Sequence, residues 1–261
     1  MKGIIITGGC GTRLYPLTFA ISKQFLPIYV KPMIYYPLSV LMKAGIKEVL
    51  IISTPYDMPK FKELLGNEEK VGIKLSYCIQ PSSNGIAQAY IIAKDFCDNT
   101  DVCLISGDNI LYSGYLVKFL RELVVDADKR KATIFGYYVN VLNGFEIVEL
   151  DNSENVLSLE EKLDFSKSNY AITGLYFYPN GVCEYAQKVI PSKKSELEII
   201  SLTDASCFVK SVEEHTWLEI ACLDEISFLN WWISKNDLLK TGNFMKNSEY
   251  GKYSLNVVFG K

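Results

Sequence analysis

The sequence predicts an α/β fold: a mixed, mostly parallel sheet flanked by helices, with a smaller antiparallel lobe in the second half. Three observations predict it. Short apolar runs alternate with helical patterns through the first half of the chain. Glycine-rich or turn-rich loops close those runs. After Lys131 the texture changes to strands with few helices between them. A chain of 261 residues, 49% of them hydrophobic, can fill one substantial core. It reads as a single domain, 1–261, with halves at 1–130 and 131–261.

Gly3–Thr7 is an isoleucine-rich run, as in a strand covered on both faces. Gly8, Gly9 and Gly11 follow at once. Ile34–Ala44 has apolar residues at helical spacing, and Gly45 stands where such a helix ends. Val49–Ser53 reads as a strand, Pro59–Leu65 as a short helix stopped by Gly66, and Ile73–Ile79 as an alternating strand. The loop Gln80–Gly85, QPSSNG, leads into a helix over Ile86–Phe96. Val102–Ser106 is the next buried strand, Gly107-Asp108-Asn109 follows it, and Tyr115–Val125 is helical. This β-α-β-α order is Rossmann-like. In such sheets ligands bind beyond the carboxyl ends of the strands. The loops at Gly8, Gln80 and Asp108 all follow strands, so topology alone brings them to one edge.

In the second half Ala132–Asn140, Phe145–Asp151, Val156–Glu161 and Tyr170–Tyr178 read as strands. Asn143-Gly144 and Asp151-Asn152 are turn signals between them. Pro179–Val189 and Glu196–Ala205 read as helices and Phe208–Val212 as a strand. Ala221–Ser234 reads as a helix carrying Trp231 and Trp232.

Charge and cysteine usage exclude several classes. Thirty acidic against 27 basic residues give a net charge of −3, which offers nothing to nucleic acid or an anionic membrane. No apolar run reaches a membrane span and no signal peptide precedes the first strand, so a cytoplasmic protein is expected. The 7 cysteines are odd in number and contain no CxxC, which fits buried free thiols in a reducing compartment. The single histidine, His215, cannot build a typical zinc site.

Three glycines in four positions let the backbone turn sharply and offer its N–H groups to an anion. Arg13 adds a rigid fork of donors and Lys23 a compact charge on a flexible stem. No GK[ST] closes the loop, so it is not a P-loop. The third glycine of GxGxxG is missing, which sets a dehydrogenase aside. By themselves the glycines fit a tight turn as well as an anion cradle. Asp108-Asn109 alone reads first as an Asx turn, and Glu160-Glu161-Lys162 as a solvated strand end.

Longer motifs carry a resemblance. GGxGTRLxPxT from Gly8, SKQxLPI from Ser22 and KPMIYYPLSxLMxAGI from Lys31 resemble the N-terminal signature of sugar-nucleotide pyrophosphorylases. Within these they resemble the glucose-1-phosphate thymidylyltransferase family, which makes dTDP-glucose for deoxysugar pathways such as rhamnose. The likeness is dense to about residue 113, resumes over Ser158–Tyr178 and weakens after Leu197. It implies an in-line displacement in which a sugar-1-phosphate oxygen attacks the α-phosphorus of a nucleoside triphosphate and pyrophosphate leaves. Such a reaction needs positioning and charge compensation and no protein nucleophile.

The resemblance implies a role for each matching residue. Gly8, Gly9, Gly11 and Thr12 would cradle the phosphates. Arg13 and Lys23 would be catalytic, Arg13 at the departing pyrophosphate and Lys23 bridging phosphates in the transition state. Gln80 and Gly85 would contact the base. Asp108 would bind Mg²⁺, the one cofactor implied, a hard cation suited to few carboxylates and several phosphate oxygens. Glu161 and Lys162 would meet sugar hydroxyls and the sugar phosphate, and Thr173 and Gly174 fall on the sugar-pocket strand. Lys194 stands for the arginine before GELEI, and Glu219 for a second metal aspartate.

The departures from the family gather on the sugar side. YGVVEFD appears as FEIVELD, with Phe145 and Glu146 for tyrosine and glycine. ELEITD ends in Ser201, and WLDTG appears as WLEIA, with Glu219, Ile220 and Ala221. A pocket filled by Glu146 and a metal site loosened at Glu219 are expected. NxYGxYL resembles Asn247–Leu255, but the region before it is shorter than in the family. The family uses that region for subunit contacts and regulation. A homo-oligomer stays open, and feedback by dTDP-rhamnose is expected to be lost. Two readings follow. One is an enzyme joining glucose 1-phosphate to dTTP or UTP, impaired at its sugar and metal sites. The other is an inactive nucleotide-binding relative with a regulatory or partner-binding role.

Overall fold

In the computed structural model the first strand, β1 (Lys2–Ile6), lies inside an eight-stranded sheet. The described residues are 1–9, 11–66, 71–81, 85–126, 132–139, 146–151, 156–161, 168–188, 202–216 and 218–259. Ile4 and Ile5 are both fully buried but on opposite faces, as successive strand residues must be. The glycine loop leads to a small hairpin of β2 (Pro27–Ile28) and β3 (Lys31–Pro32). Then come α1 (Tyr35–Lys43), β4 (Glu48–Ser53), α2 (Met58–Leu65) and β5 (Lys74–Ile79). They are followed by α3 (Ile86–Ile92), α4 (Lys94–Cys97), β6 (Val102–Ser106) and α5 (Leu116–Asp126).

β5, β4, β1 and β6 are neighbours in that order and all run parallel. Every one therefore ends on the same edge. Backbone bonds continue past the strand ends: Thr7 N–H donates to Ile52 O, Gly107 N–H to Ile6 O and Gln80 N–H to Ser53 O, each at 2.8 Å. The loops at Gly8, Gln80 and Asp108 are thereby side by side, as the topology argument expected.

The remaining strands are β7 (Thr133–Tyr138), β8 (Glu146–Leu150), β9 (Val156–Glu161) and β10 (Tyr170–Tyr178). All their pairings are antiparallel. The long β10 joins the two halves. Leu175–Tyr178 pairs with β6, while Tyr170 and Ala171 pair with β8. The antiparallel strands thus continue the parallel sheet.

Helices cover both faces. α1, α2 and α5 pack with Ile5, Ile51, Ile105 and Phe177 on one side. α3, α4 and α6 (Val182–Ala186) pack with Ile4, Leu50, Ile52 and Leu104 on the other. The last four helices are α7 (Leu202–Thr216), α8 (Leu223–Leu229), α9 (Lys235–Phe244) and α10 (Glu249–Phe259). Cys78, Cys97, Cys103, Cys183, Cys207 and Cys222 are all free thiols.

Three readings of the sequence are corrected. The Phe208–Val212 strand is the middle of α7; of the helix expected over Glu196–Ala205, residues 202–205 open that same element and 196–201 lie outside the described residues. Ala205, Val209 and Val212 recur at helical spacing and pack against Ile28, Met33 and Tyr36, which outweighs the local alternation. The single helix over Ile86–Phe96 breaks at Ala93 into α3 and α4. The helix expected over Ala221–Ser234 is only seven residues long, because Ala221 and Trp231 both take left-handed backbone, at φ 59° and 61°. The turn signals at Asn143-Gly144 and Asn152 lie outside the described residues.

Candidate nucleotidyl-transfer site

The site is built from the loops that follow β1, β5 and β6. After β1 the chain turns through Gly8 and Gly9 into a short 3₁₀ turn, Thr12–Leu14, which carries Arg13. The Thr18 hydroxyl donates to Gly11 O at 2.6 Å and closes the loop on itself. Arg13 is exposed and engaged by a neighbouring group. A cavity of about 270 Å³ opens beside the loop, lined by Gly8, Gly9, Tyr56, Asp57, Gln80 and Pro81 among others. It adjoins the phosphate-cradling segment expected from the sequence.

Lys23 lies on a second 3₁₀ turn, Lys23–Phe25. Its Nζ reaches Asp108 Oδ2 at 2.5 Å, across 85 residues of sequence. The two side chains are 12% and 23% exposed, so the pair is partly open to the cleft. The expected catalytic lysine and the expected metal carboxylate are therefore together at the strand edge.

Asp108 is followed by Asn109, whose side-chain amide donates to Thr173 O on β10. Gly174 has φ 66°, and a side chain there would press on Asn109 Nδ2 and Ser106 Oγ. Only glycine fits this bulge, where the β10–β7 register also shifts. Thr173 Oγ1 is buried and has no partner among the described residues. Thr173 and Gly174 are thus fastened to the loop that bears Asp108. Gly85 stands at the N-cap of α3 with φ 82°, and Gln80 is buried against Gly8.

Glu219 makes its contacts in a second lysine–carboxylate cluster. Lys31, on β3, is 1% exposed and its Nζ lies 2.8 Å from Glu213 Oε1 and 3.1 Å from Glu219 Oε2. Glu213 also accepts the backbone N–H of Ile220 at 2.8 Å. Two carboxylates from α7 and the segment after it are thereby locked onto the β2–β3 hairpin. Burial raises the Glu219 carboxyl above its ordinary value, against the lowering effect of Lys31. Burial likewise raises the nearby Glu225 and Asp224.

Among the described residues no group of three or more His, Cys, Asp or Glu gathers for a metal ion. One carboxylate suffices for Mg²⁺ when phosphate oxygens and waters supply the rest, so Asp108 fits that cation. Glu219 makes its ion pair with Lys31, at 3.1 Å, rather than with the Lys23–Asp108 pair. Glu161 is placed by backbone register opposite Glu146, and both side chains lie outside the described residues. Lys162 and Lys194 lie outside them too. Sequence reasoning passed over Lys31, Glu213 and Gln88. Lys31 stood within a quoted motif, but its partners are 182 and 188 residues away in the chain and no spacing rule links them.

The comparisons agree with this architecture. The family model described as nucleotidyl transferase matches residues 2–219. The chain is 43% identical to the glucose-1-phosphate thymidylyltransferase of Neisseria gonorrhoeae over 288 aligned positions, covering 99% of each chain. That alignment is longer than the 261 residues of this chain, so the relative carries residues this chain lacks. The thymidylyltransferase of Xanthomonas campestris pv. campestris is 40% identical, with 97% and 95% covered. A crystal structure from Bacillus anthracis, assigned as a glucose-1-phosphate thymidylyltransferase and in complex with a sucrose, is 33% identical. It superposes with a TM-score of 0.67, covering 80% of this chain and 83% of that one. UDP-glucose pyrophosphorylase complexed with UDP-glucose, at 21% identity and a TM-score of 0.66, shares the fold over 78% and 84% of the two chains. The chain belongs to the nucleotidyl transferase family, among the glucose-1-phosphate thymidylyltransferases.

Proposed function

We propose that this chain is a sugar-1-phosphate nucleotidylyltransferase that joins glucose 1-phosphate to dTTP or UTP and releases pyrophosphate. The observation that carries the reading is the convergence of the Gly8–Arg13 loop, the Lys23–Asp108 pair and Gln80 at the carboxyl edge of four parallel strands. Gly8, Gly9, Gly11 and Thr12 present backbone to the triphosphate. Arg13 compensates the charge of the departing pyrophosphate, and Lys23 that of the phosphates between which the bond is exchanged. Gln80 and Gly85 meet the base. Thr173 and Gly174, with Glu161, Lys162 and Lys194, form the sugar-phosphate side in residues 131–261.

Asp108 would hold Mg²⁺, which when bound neutralises phosphate charge and polarises the phosphorus centre. With no nucleotide, Lys23 and Asp108 satisfy each other. An incoming triphosphate offers Lys23 a new anion, so the pair is an exchangeable contact poised where charge will develop.

One observation favours slow turnover or an inactive nucleotide-binding relative: Glu219 is held by Lys31 and leaves the metal side with a single carboxylate. A cytoplasmic location, the rhamnose pathway, a homo-oligomer and the absence of nucleic-acid or membrane partners belong to the same reading. They rest on the family and on the net charge of −3. No described helix is long and apolar enough to cross a membrane.

The test is pyrophosphate release from a panel of nucleotides and sugar 1-phosphates with Mg²⁺ present. Release with glucose 1-phosphate and dTTP or UTP is expected. Nucleotide binding without release under any pairing would select the inactive relative. Absence of both would overturn the reading.

A further inference from the structure

The chain between Arg13 and Lys23 runs through residues 15–22 as an arm with no strand or helix. Two side chains from outside the arm meet on one of its carbonyls. The Tyr56 hydroxyl and Lys60 Nζ each donate to Ala20 O at 3.3 Å. Lys60 Nζ also lies 4.0 Å from the Tyr56 ring centroid and 3.5 Å from Asp57 Oδ1, so it is steadied on its own side before it reaches the arm. Ala20 and Tyr56 line the same cavity beside the glycine loop, and their contact ties two of its walls together.

Both donors stand on a firm base. Lys60 belongs to α2 and Tyr56 to the turn before it, and Met58, Phe61 and Leu65 of that helix are buried. Phe61 packs against Phe25 with ring centroids 4.3 Å apart. Phe25 ends the 3₁₀ turn that carries Lys23. One helix therefore holds the Lys23 turn through Phe61 and the arm through Lys60, with Tyr56 beside it.

We propose that Tyr56 and Lys60 are positioning residues for nucleotidyl transfer: by fixing Ala20 to α2, they set the place of Arg13 relative to Lys23. The proposal rests on the nucleotidyl-transfer reading and says what aligns its two cations. Turn bonds carry the constraint back from Ala20 to Arg13. Phe19 N–H donates to Pro16 O at 3.1 Å, Leu17 N–H to Leu14 O at 2.9 Å, and the Thr18 hydroxyl to Gly11 O at 2.6 Å. Misplacing a reacting group by about an ångström costs on the order of a hundredfold in rate, so a surface contact on the arm weighs on turnover beyond its own strength. Two donors on one carbonyl also back each other up.

The test is pyrophosphate release from dTTP and glucose 1-phosphate with Mg²⁺, on the full chain and its variants, beside amide hydrogen exchange over residues 15–22. Tyr56→Phe keeps the ring under Lys60 and loses the donor. Lys60→Met keeps the stem and loses the charge. Each alone should lower kcat by roughly twofold to threefold. The double variant should lower it by roughly tenfold or more, with KM for glucose 1-phosphate unchanged and faster exchange in the arm. Tyr56→Phe combined with Lys60→Arg, which keeps a donor, should recover the rate of Tyr56→Phe alone. A purely structural role would lower the melting point and leave kcat of the folded double variant unchanged, and that result would overturn the proposal. Should the double variant fail to fold, unchanged kcat in both single variants would overturn it. If the unmodified chain binds nucleotide without releasing pyrophosphate, the readout is its calorimetric affinity for Mg²⁺–dTTP. The double variant should then bind roughly tenfold more weakly, and equal affinity would overturn the proposal. An unmodified chain that neither binds nor reacts would overturn the nucleotidyl-transfer reading as well.

Discussion

Two lysine–carboxylate pairs lie a short way apart in the chain and do different things. Lys23 meets one carboxylate, Asp108, at the mouth of the parallel strands, and both side chains remain partly exposed. Lys31 meets two, Glu213 and Glu219, and is 1% exposed. A partly exposed pair costs less to open than a fully buried one, because water and incoming ligand replace what is lost. A buried cluster costs much to open, because each ion has already been stripped of water. The difference separates an exchangeable contact, suited to a phosphate site, from a fixed strut between the β2–β3 hairpin and α7.

The largest expected effect lies on the open pair. Lys23→Met removes a cation where phosphate charge develops, so turnover should fall by roughly a hundredfold to a thousandfold. Thermal stability should fall less than in a variant that opens the fully buried Lys31 cluster. A steady-state assay with a melting curve checks both, and a variant that is active but unstable would erase the contrast.

The closed cluster should respond in the opposite sense. Lys31→Met leaves two buried carboxylates unpaired and should cost about 3–5 kcal/mol. For a chain of this size that corresponds to a melting point lower by roughly 6–20 °C. If Lys31→Met melts like the unmodified protein, the cluster is not a strut.

A smaller effect concerns pH. Burial holds the Glu219 carboxyl above its ordinary value of 4.5. The folded chain therefore keeps this proton at a pH where the unfolded chain has lost it. Stability from Glu219 must then rise as pH falls through its folded pKa towards 4.5, and be lost as pH rises back through it. Melting curves of the unmodified protein and of Glu219→Gln, taken between pH 7 and the ordinary carboxylate range, should shift in favour of the unmodified protein as pH falls. A gap that narrows on acidification would reverse the assigned sign.

The same contrast explains what was legible in the sequence. β1, β6 and β10 were readable because their apolar runs are local, and Tyr170–Tyr178 was bounded as the structure bounds it. The positions of Gly8, Gln80 and Asp108 followed from one rule about parallel sheets, so the open pair came into view with them. The closed cluster did not. Glu213 lies on a helix whose middle alternates like a strand, and its tie to Lys31 spans 182 residues. Glu219 was read by its place in a short motif, whereas its surroundings are set by α7 folding back on the hairpin. The helix α9 was missed although its signal was local: Ser234 and Asp237 form a capping box at its start.

The central claim is that Asp108 is open to a cation and Glu219 is not. The most direct measurement is calorimetry of Mg²⁺–dTTP binding to the unmodified protein, to Asp108→Asn and to Glu219→Gln, each shown to be folded at the working temperature. The account predicts weakened binding in Asp108→Asn and binding in Glu219→Gln that matches the unmodified protein. Equal weakening in both variants would place Glu219 on the metal and contradict it.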